Sequence, residues 1–160
     1  MTPEERKLRL DSYGDAHSLL IEAIKHFPRE MWQFRPTVGD FTIHEIVVHV
    51  ADSEANSFVR ARRAIAEPGS AVLNYDEMQW AHALRYHEQS PADAIELFKW
   101  LRGNTYKLIR SLPESAWTNT IVHSESGVMT LDNWLDVYDR HVPEHISQMQ
   151  SVYDVWQQHK

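Results

Sequence analysis

Residues 130–158 carry a pattern that only a long helix packed against other helices can satisfy. Leu131, Trp134, Leu135, Tyr138, Val142, Ile146, Met149, Tyr153 and Trp156 recur at three- and four-residue intervals, the spacing of one helical face. At 1.5 Å per residue such a helix is about 40 Å long. Its stripe is too broad to leave in water, so the rest of the chain must supply partner helices. Three candidates are written with start signals. Thr2-Pro3-Glu4-Glu5 reads as a cap, a proline at the first helical position and a returning glutamate, opening a helix to about residue 26 that Pro28 stops. Thr42 with Glu45 opens a second, whose face is Ile43, Ile46, Val47, Val50, Ala51, Phe58, Ala61 and Ile65 and which ends at Pro68-Gly69-Ser70. Ser90-Pro91-Ala92-Asp93 opens a third, with Leu97, Phe98, Leu101, Thr105 and Leu108 as its face, ending at Leu112-Pro113.

The expected architecture is therefore all-α: a single four-helix bundle domain over residues 1–160. A long crossover, residues 68–90, joins the second helix to the third, and its NYDEMQWAHAL stretch forms a short helix. TNTIVHSESGVMT alternates polar and apolar around a turn, so a short β-hairpin is expected before the last helix. An internal echo runs through this plan. FPREMW follows the first helix and LPESAW the third, and each leads through a loop to a Thr-capped helix. The echo suggests two similar helical hairpins, with the second and last helices in equivalent parts.

Charge and composition exclude some functions. The formal charge is −7 and the densest basic run, RARR at 60–63, is flanked by Glu54 and Glu67, which disfavours binding to nucleic acid through its phosphates. No apolar run reaches the roughly 18 residues of a membrane span, and MTPEERKLRL lacks the apolar core of a signal peptide. The chain has no cysteine, which fits a reducing, cytoplasmic location and leaves imidazole and carboxylate as the ligands for any transition metal. Ten histidines are available.

Two of them, His141 and His145 in RHVPEHISQM, lie roughly 40° apart on the last helix. His145 falls inside the apolar stripe and His141 at its edge, so both imidazoles face the bundle and both can reach one ion. The plain alternative, two core-edge imidazoles bonded to carbonyls, has equal weight on spacing alone. Pro143, on the far side of the helix, removes one backbone donor and should bend or bulge it. A third ligand is offered by His49 of the second helix, on the flank of its apolar face. The same stripe carries Ser53, Asn56 and Arg60, with Asp52 nearby; a solvated face is the plain reading of Asp52 and Asn56. Glu54 falls within the apolar face and should be paired there, with an arginine as the fitting partner. His44, His82, His87, His159, His17 and His26 are read as surface or structural groups, and His123 as the substitute ligand should His49 fail.

The segments TIHEIVVHVADSE (42–54), YDEMQW in the crossover, MTLDNWL and HVPEHISQM, with FRP ahead of the second helix, together resemble the DinB/YfiT family of small metal-binding four-helix bundles over nearly the whole chain. The resemblance implies a three-histidine site, which falls on His49, His141 and His145, holding a divalent ion, commonly nickel or zinc, with water in the remaining positions. It also implies activities of three kinds: thiol S-transfer with a low-molecular-weight thiol, thiol-dependent isomerisation, and metal-dependent hydrolysis. Homodimers are common in the family. Within that frame Asp52 is a candidate to orient His49, Arg60 to hold an anionic group, Asn56 to line the site, and Tyr75 and Trp80 to wall it. The expected function is thus a metal-dependent hydrolase or S-transferase acting on a small molecule. A non-catalytic bundle, using metal for stability or serving as an interaction module, is the alternative.

Overall fold

The computed structural model describes residues 1–159. Helix α1 (Pro3–Ile24), α2 (Ile43–Ala66), α4 (Pro91–Ile109) and α5 (Leu131–Gln158) form the bundle, and α3 (Glu77–Ala83) is the short helix of the crossover. The start signals work as read: Thr2, Thr42 and Thr130 each accept from the third residue of the helix, whose side chain returns to the cap backbone. Each such box fills two of the open donors at a helix end. The PxxxW segments also behave alike. Both form 3₁₀ turns that bury their tryptophans, Trp32 and Trp117. His44 N–H then bonds the carbonyl of Trp32, and Leu131 N–H that of Asn119, anchoring the starts of α2 and α5.

The pairing of the helices differs from two hairpins. α1 packs on α4 and α5, and α2 packs on α4 and α5, so the two members of each expected hairpin, α1 with α2 and α4 with α5, sit diagonally. The connections are long enough to allow it, since each crosses an end of the bundle through its 3₁₀ turn. α1 and α4 approach closely at Gly14, where a β-carbon would stand 3.0 Å from the Tyr106 ring. α5 runs unbroken through Pro143, whose ring lies outside, so no break interrupts the helix at the expected bend.

The expected hairpin is present as β2 (Thr120–His123) and β3 (Gly127–Thr130), with Gly127 supplying the positive φ at its turn. Residues 70–72 fall within the expected crossover. They form β1 (Ser70–Val72), which pairs parallel with β2. Three residues are too few to show alternation, and the pairing is long-range. The sheet ties the start of the crossover to the segment that leads into α5.

The face of α4 is also rotated from the expected one. Ala94, Ile95, Phe98, Arg102, Thr105 and Ile109 point inward, whereas Leu97 and Leu108 are exposed. Arg102 explains the rotation. It is fully buried, and its Nη2 donates to Glu54 Oε2 at 2.6 Å. Tyr13 donates to the other carboxylate oxygen at 2.8 Å, and Arg102 Nη1 reaches the carbonyls of Tyr13 and Tyr138. This polar layer joins all four long helices. It separates one apolar cluster, around Leu20, Ile46, Phe98 and Met149, from another around Ile109, Trp117, Leu131 and Trp134. Glu54 is thus paired with an arginine, as its position on the apolar face required.

Candidate metal centre

α2 and α5 lie side by side in the bundle, and their facing surfaces bring His49, His141 and His145 together. Each offers a ring nitrogen within 4.8 Å of the other two. Ring centroids are 4.7 Å apart for His49 and His145, 5.5 Å for His49 and His141, and 4.4 Å for the pair on α5. His49 sits deeper than a flank position. It is 0% exposed because the first half of α2, Ile43 to Ala51, is buried nearly all round, and Phe41 stacks on its ring at 5.4 Å.

The hydrogen bonds show which nitrogens face inward. Nδ1–H of His145 donates to Oε1 of Gln148 at 2.8 Å, which leaves the Nε2 lone pair toward the cluster. His141 Nε2 lies 3.2 Å from His145 Nε2 and 3.1 Å from Ser53 Oγ. Both nitrogens of His49 are buried without a hydrogen-bond partner, as is Nδ1 of His141. A buried polar atom left unpaired costs about 1–3 kcal/mol, so His49 stands in a place where an electron-pair acceptor or a donor is wanted. Burial holds all three imidazoles neutral: it takes His49 down to about 3, His141 well below the usual 6.5, and His145 in the same direction. Neutral imidazole is the form that ligates metal. The donor set, orientation and missing partners fit one divalent ion bound by three nitrogens, with part of its sphere free.

Around the cluster, Glu77 at the start of α3 places Oε2 3.9 Å from His49 Nε2 while its side chain is half exposed. Burial, then Asp76, raises its carboxyl pKa. The Tyr75 hydroxyl is buried beside Ser53 with no hydrogen bond, and its ring packs on Trp80 at 4.4 Å. Tyr75 is thus placed beside Ser53, with Trp80 packed against it. Asp52 does not orient His49. It accepts the Tyr86 hydroxyl at 2.6 Å, while both His49 nitrogens stay without a hydrogen-bond partner. Asn56 bonds back to the Asp52 carbonyl, and Arg60 donates to the Tyr138 hydroxyl at 2.8 Å and to the Leu73 carbonyl at 2.7 Å. His123 is no substitute ligand: its Nδ1 accepts the backbone N–H groups of Glu125 and Ser126 and shapes the hairpin turn.

Sequence reasoning missed Gln148 and Glu77. Gln148 stands three residues beyond His145, on the same side of the helix, and that spacing was a readable signal. Glu77 opens α3, a short helix of the crossover whose direction no periodicity fixes.

Comparison with known proteins places the chain in a family and a fold. The family model described as the DinB superfamily matches residues 13–149. YfiT of Bacillus subtilis and OB0782 of Oceanobacillus iheyensis, both named "Putative metal-dependent hydrolase", are 29% and 28% identical over 68% and 71% of this chain. The matched regions span 62% and 66% of those relatives' own lengths. Among solved structures, YfiT from Bacillus subtilis, described as "a probable metal-dependent hydrolase with an unusual four-helix bundle topology", superposes with a TM-score of 0.87 at 23% identity, over 95% of this chain and 87% of that one. A mycothiol-dependent maleylpyruvate isomerase superposes with a TM-score of 0.72 at 14% identity, over 93% of this chain and 63% of that one. At these identities the superpositions establish the fold.

Proposed function

Because the chain belongs to the DinB superfamily, we propose that it is a metal-dependent enzyme whose His49, His141 and His145 hold one divalent ion, nickel or zinc, and that it hydrolyses a small molecule. The observation that carries the reading is the convergence of three neutral imidazoles, one with neither nitrogen hydrogen-bonded. When bound, such an ion supplies Lewis acidity, polarising a substrate oxygen and acidifying water or a thiol. The chain supplies the rest. Gln148 fixes the tautomer of His145, Ser53 holds the edge of His141, and the buried Tyr75 hydroxyl lies beside Ser53. Glu77 is the carboxylate nearest His49, placed to accept a hydrogen bond from whatever occupies the free side.

Transfer to a low-molecular-weight thiol is the second reading. It is favoured by the fold shared with a thiol-dependent isomerase; because the chain has no cysteine, the thiol would enter as a cosubstrate.

Elemental analysis of purified protein tests the centre. One equivalent of metal is expected, lost in His145→Ala with the helical circular dichroism unchanged. Metal-free wild-type protein that takes up neither ion rejects the reading. An activated ester, offered to the loaded protein with and without a low-molecular-weight thiol, separates the reactions: turnover without thiol supports hydrolysis, and turnover only with thiol supports transfer.

A further inference from the structure

A groove of about 530 Å³ opens between α2, β1 and α3, lined by Asn56, Val59, Arg60, Arg63, Leu73 and Trp80 among others. In a chain of net charge −7, its lining holds two arginines and no carboxylate. Arg63 is paired with Glu67. Arg60 has no ion pair among the described residues; its two hydrogen bonds go to a neutral hydroxyl and a neutral carbonyl. A guanidinium carries five N–H donors, so Arg60 keeps its charge and further donors for a ligand. Arg6, Arg9, Arg35 and Arg102 are each matched to acids; Arg29, Arg62 and Arg110, like Arg60, meet neutral partners, but of these only Arg60 lines this groove.

The groove is in line with the histidine cluster. His49, Ser53, Asn56 and Arg60 follow at four, three and four residues on α2, one continuous face. Ser53 bonds His141, so the near edge of the cluster is level with Ser53. Seven residues, about 10 Å along the axis, separate Ser53 from Arg60. Beside Arg60, Val59 and Leu73 present well-exposed apolar surface, and Trp80 continues the lining.

The geometry points to Arg60 as the anchor for a carboxylate on the substrate: an amphiphilic small acid with its anionic end at Arg60, its apolar body along Val59, Leu73 and Trp80, and its reacting group about 10 Å away. Arg60 and Asn56 determine specificity here and take no part in bond making. The position of the reacting group rests on the proposed metal centre; the anionic subsite does not, and can be tested by itself.

The probes are 4-phenylbutyrate and its uncharged counterpart 4-phenylbutan-1-ol, titrated calorimetrically into metal-free protein so that no ion can take the carboxylate. The acid should bind at least tenfold more tightly than the alcohol, and more weakly as salt is added. That preference should disappear in Arg60→Gln. It should also disappear in Val59→Glu, which places an acid on the exposed lip without removing either Arg60 hydrogen bond. His145→Ala should bind the acid as wild type does. Equal affinity for acid and alcohol, absence of measurable binding by the acid, or a preference that survives both groove variants overturns the assignment. Loss of metal binding alone, with the groove results intact, would reject the metal centre and leave the subsite standing.

Discussion

The side chain that does most to decide the state of the cluster is Gln148, because it sets which nitrogen of His145 faces the other imidazoles. Partners of this kind typically tune metal affinity by one to two orders of magnitude. Gln148→Ala should therefore weaken nickel or zinc binding about 10- to 100-fold without altering thermal stability of the metal-free protein, as competition against a chelator would show. Glu54 acts differently. It is buried with Arg102, and its hydrogen bonds go to Arg102 and Tyr13. Glu54→Ala leaves the guanidinium uncompensated and should cost about 3–5 kcal/mol in urea unfolding; a smaller loss would mean that water reaches Arg102. At this scale the sequence was legible where a residue contradicted its surroundings. Glu54 stood out on an apolar face, and the need for a buried cation followed. Its partner did not stand out, because α4 offers Leu97, Leu101 and Leu108 as an equally regular stripe. Only the pairing with Glu54 decides between that stripe and the face that holds Arg102.

Helix starts were legible because capping is local chemistry. Thr42 and Glu45 form their box within four residues, and it is this box that begins the helix bearing His49. Thr42→Ala should destabilise the fold by about 1 kcal/mol, read from the shift in denaturation midpoint. The association of α1 with α5 rests partly on charge. Arg6 grips Asp132 with two hydrogen bonds, at 2.7 and 3.0 Å, and Arg9 reaches Asp136 and Asp139. Burial alone would raise the Asp132 carboxyl, but the hydrogen bond and charge of Arg6 outweigh it and hold the group below the ordinary 3.8. A depressed carboxyl stabilises the fold above its unfolded value and loses that contribution as pH falls through the lower folded one. Unfolding free energy measured against pH should thus decline below about pH 3.8, the ordinary value, and Asp132→Asn should flatten that decline. The diagonal placement of α1 with α2 and of α4 with α5, and the parallel pairing of β1 with β2, were not legible. Both depend on contacts between segments far apart in the chain, which leave no periodic mark.

For the molecule as a whole, an ion held by α2 and α5 would add its binding energy to the fold. At one hundred times its dissociation constant a ligand specific to the native state contributes about 2.7 kcal/mol. Nickel or zinc should raise the melting temperature of wild type, chelation should lower it again, and His145→Ala should show neither effect. The family's fold and the three histidines were readable because HVADSE and HVPEH carry them in recognisable settings; the polar layer, the sheet and the groove beside Arg60 emerge only from packing. The chain order of the ligands has one more effect. The crossover from Gly69 to Ser90 lies between the helix that carries His49 and the helix that carries the other two imidazoles. A protease cut there would give two fragments, each owning part of the coordination set. The cation would then serve as a rivet between separate polypeptides, and its removal by a chelator would take the nicked protein apart while leaving the intact one whole.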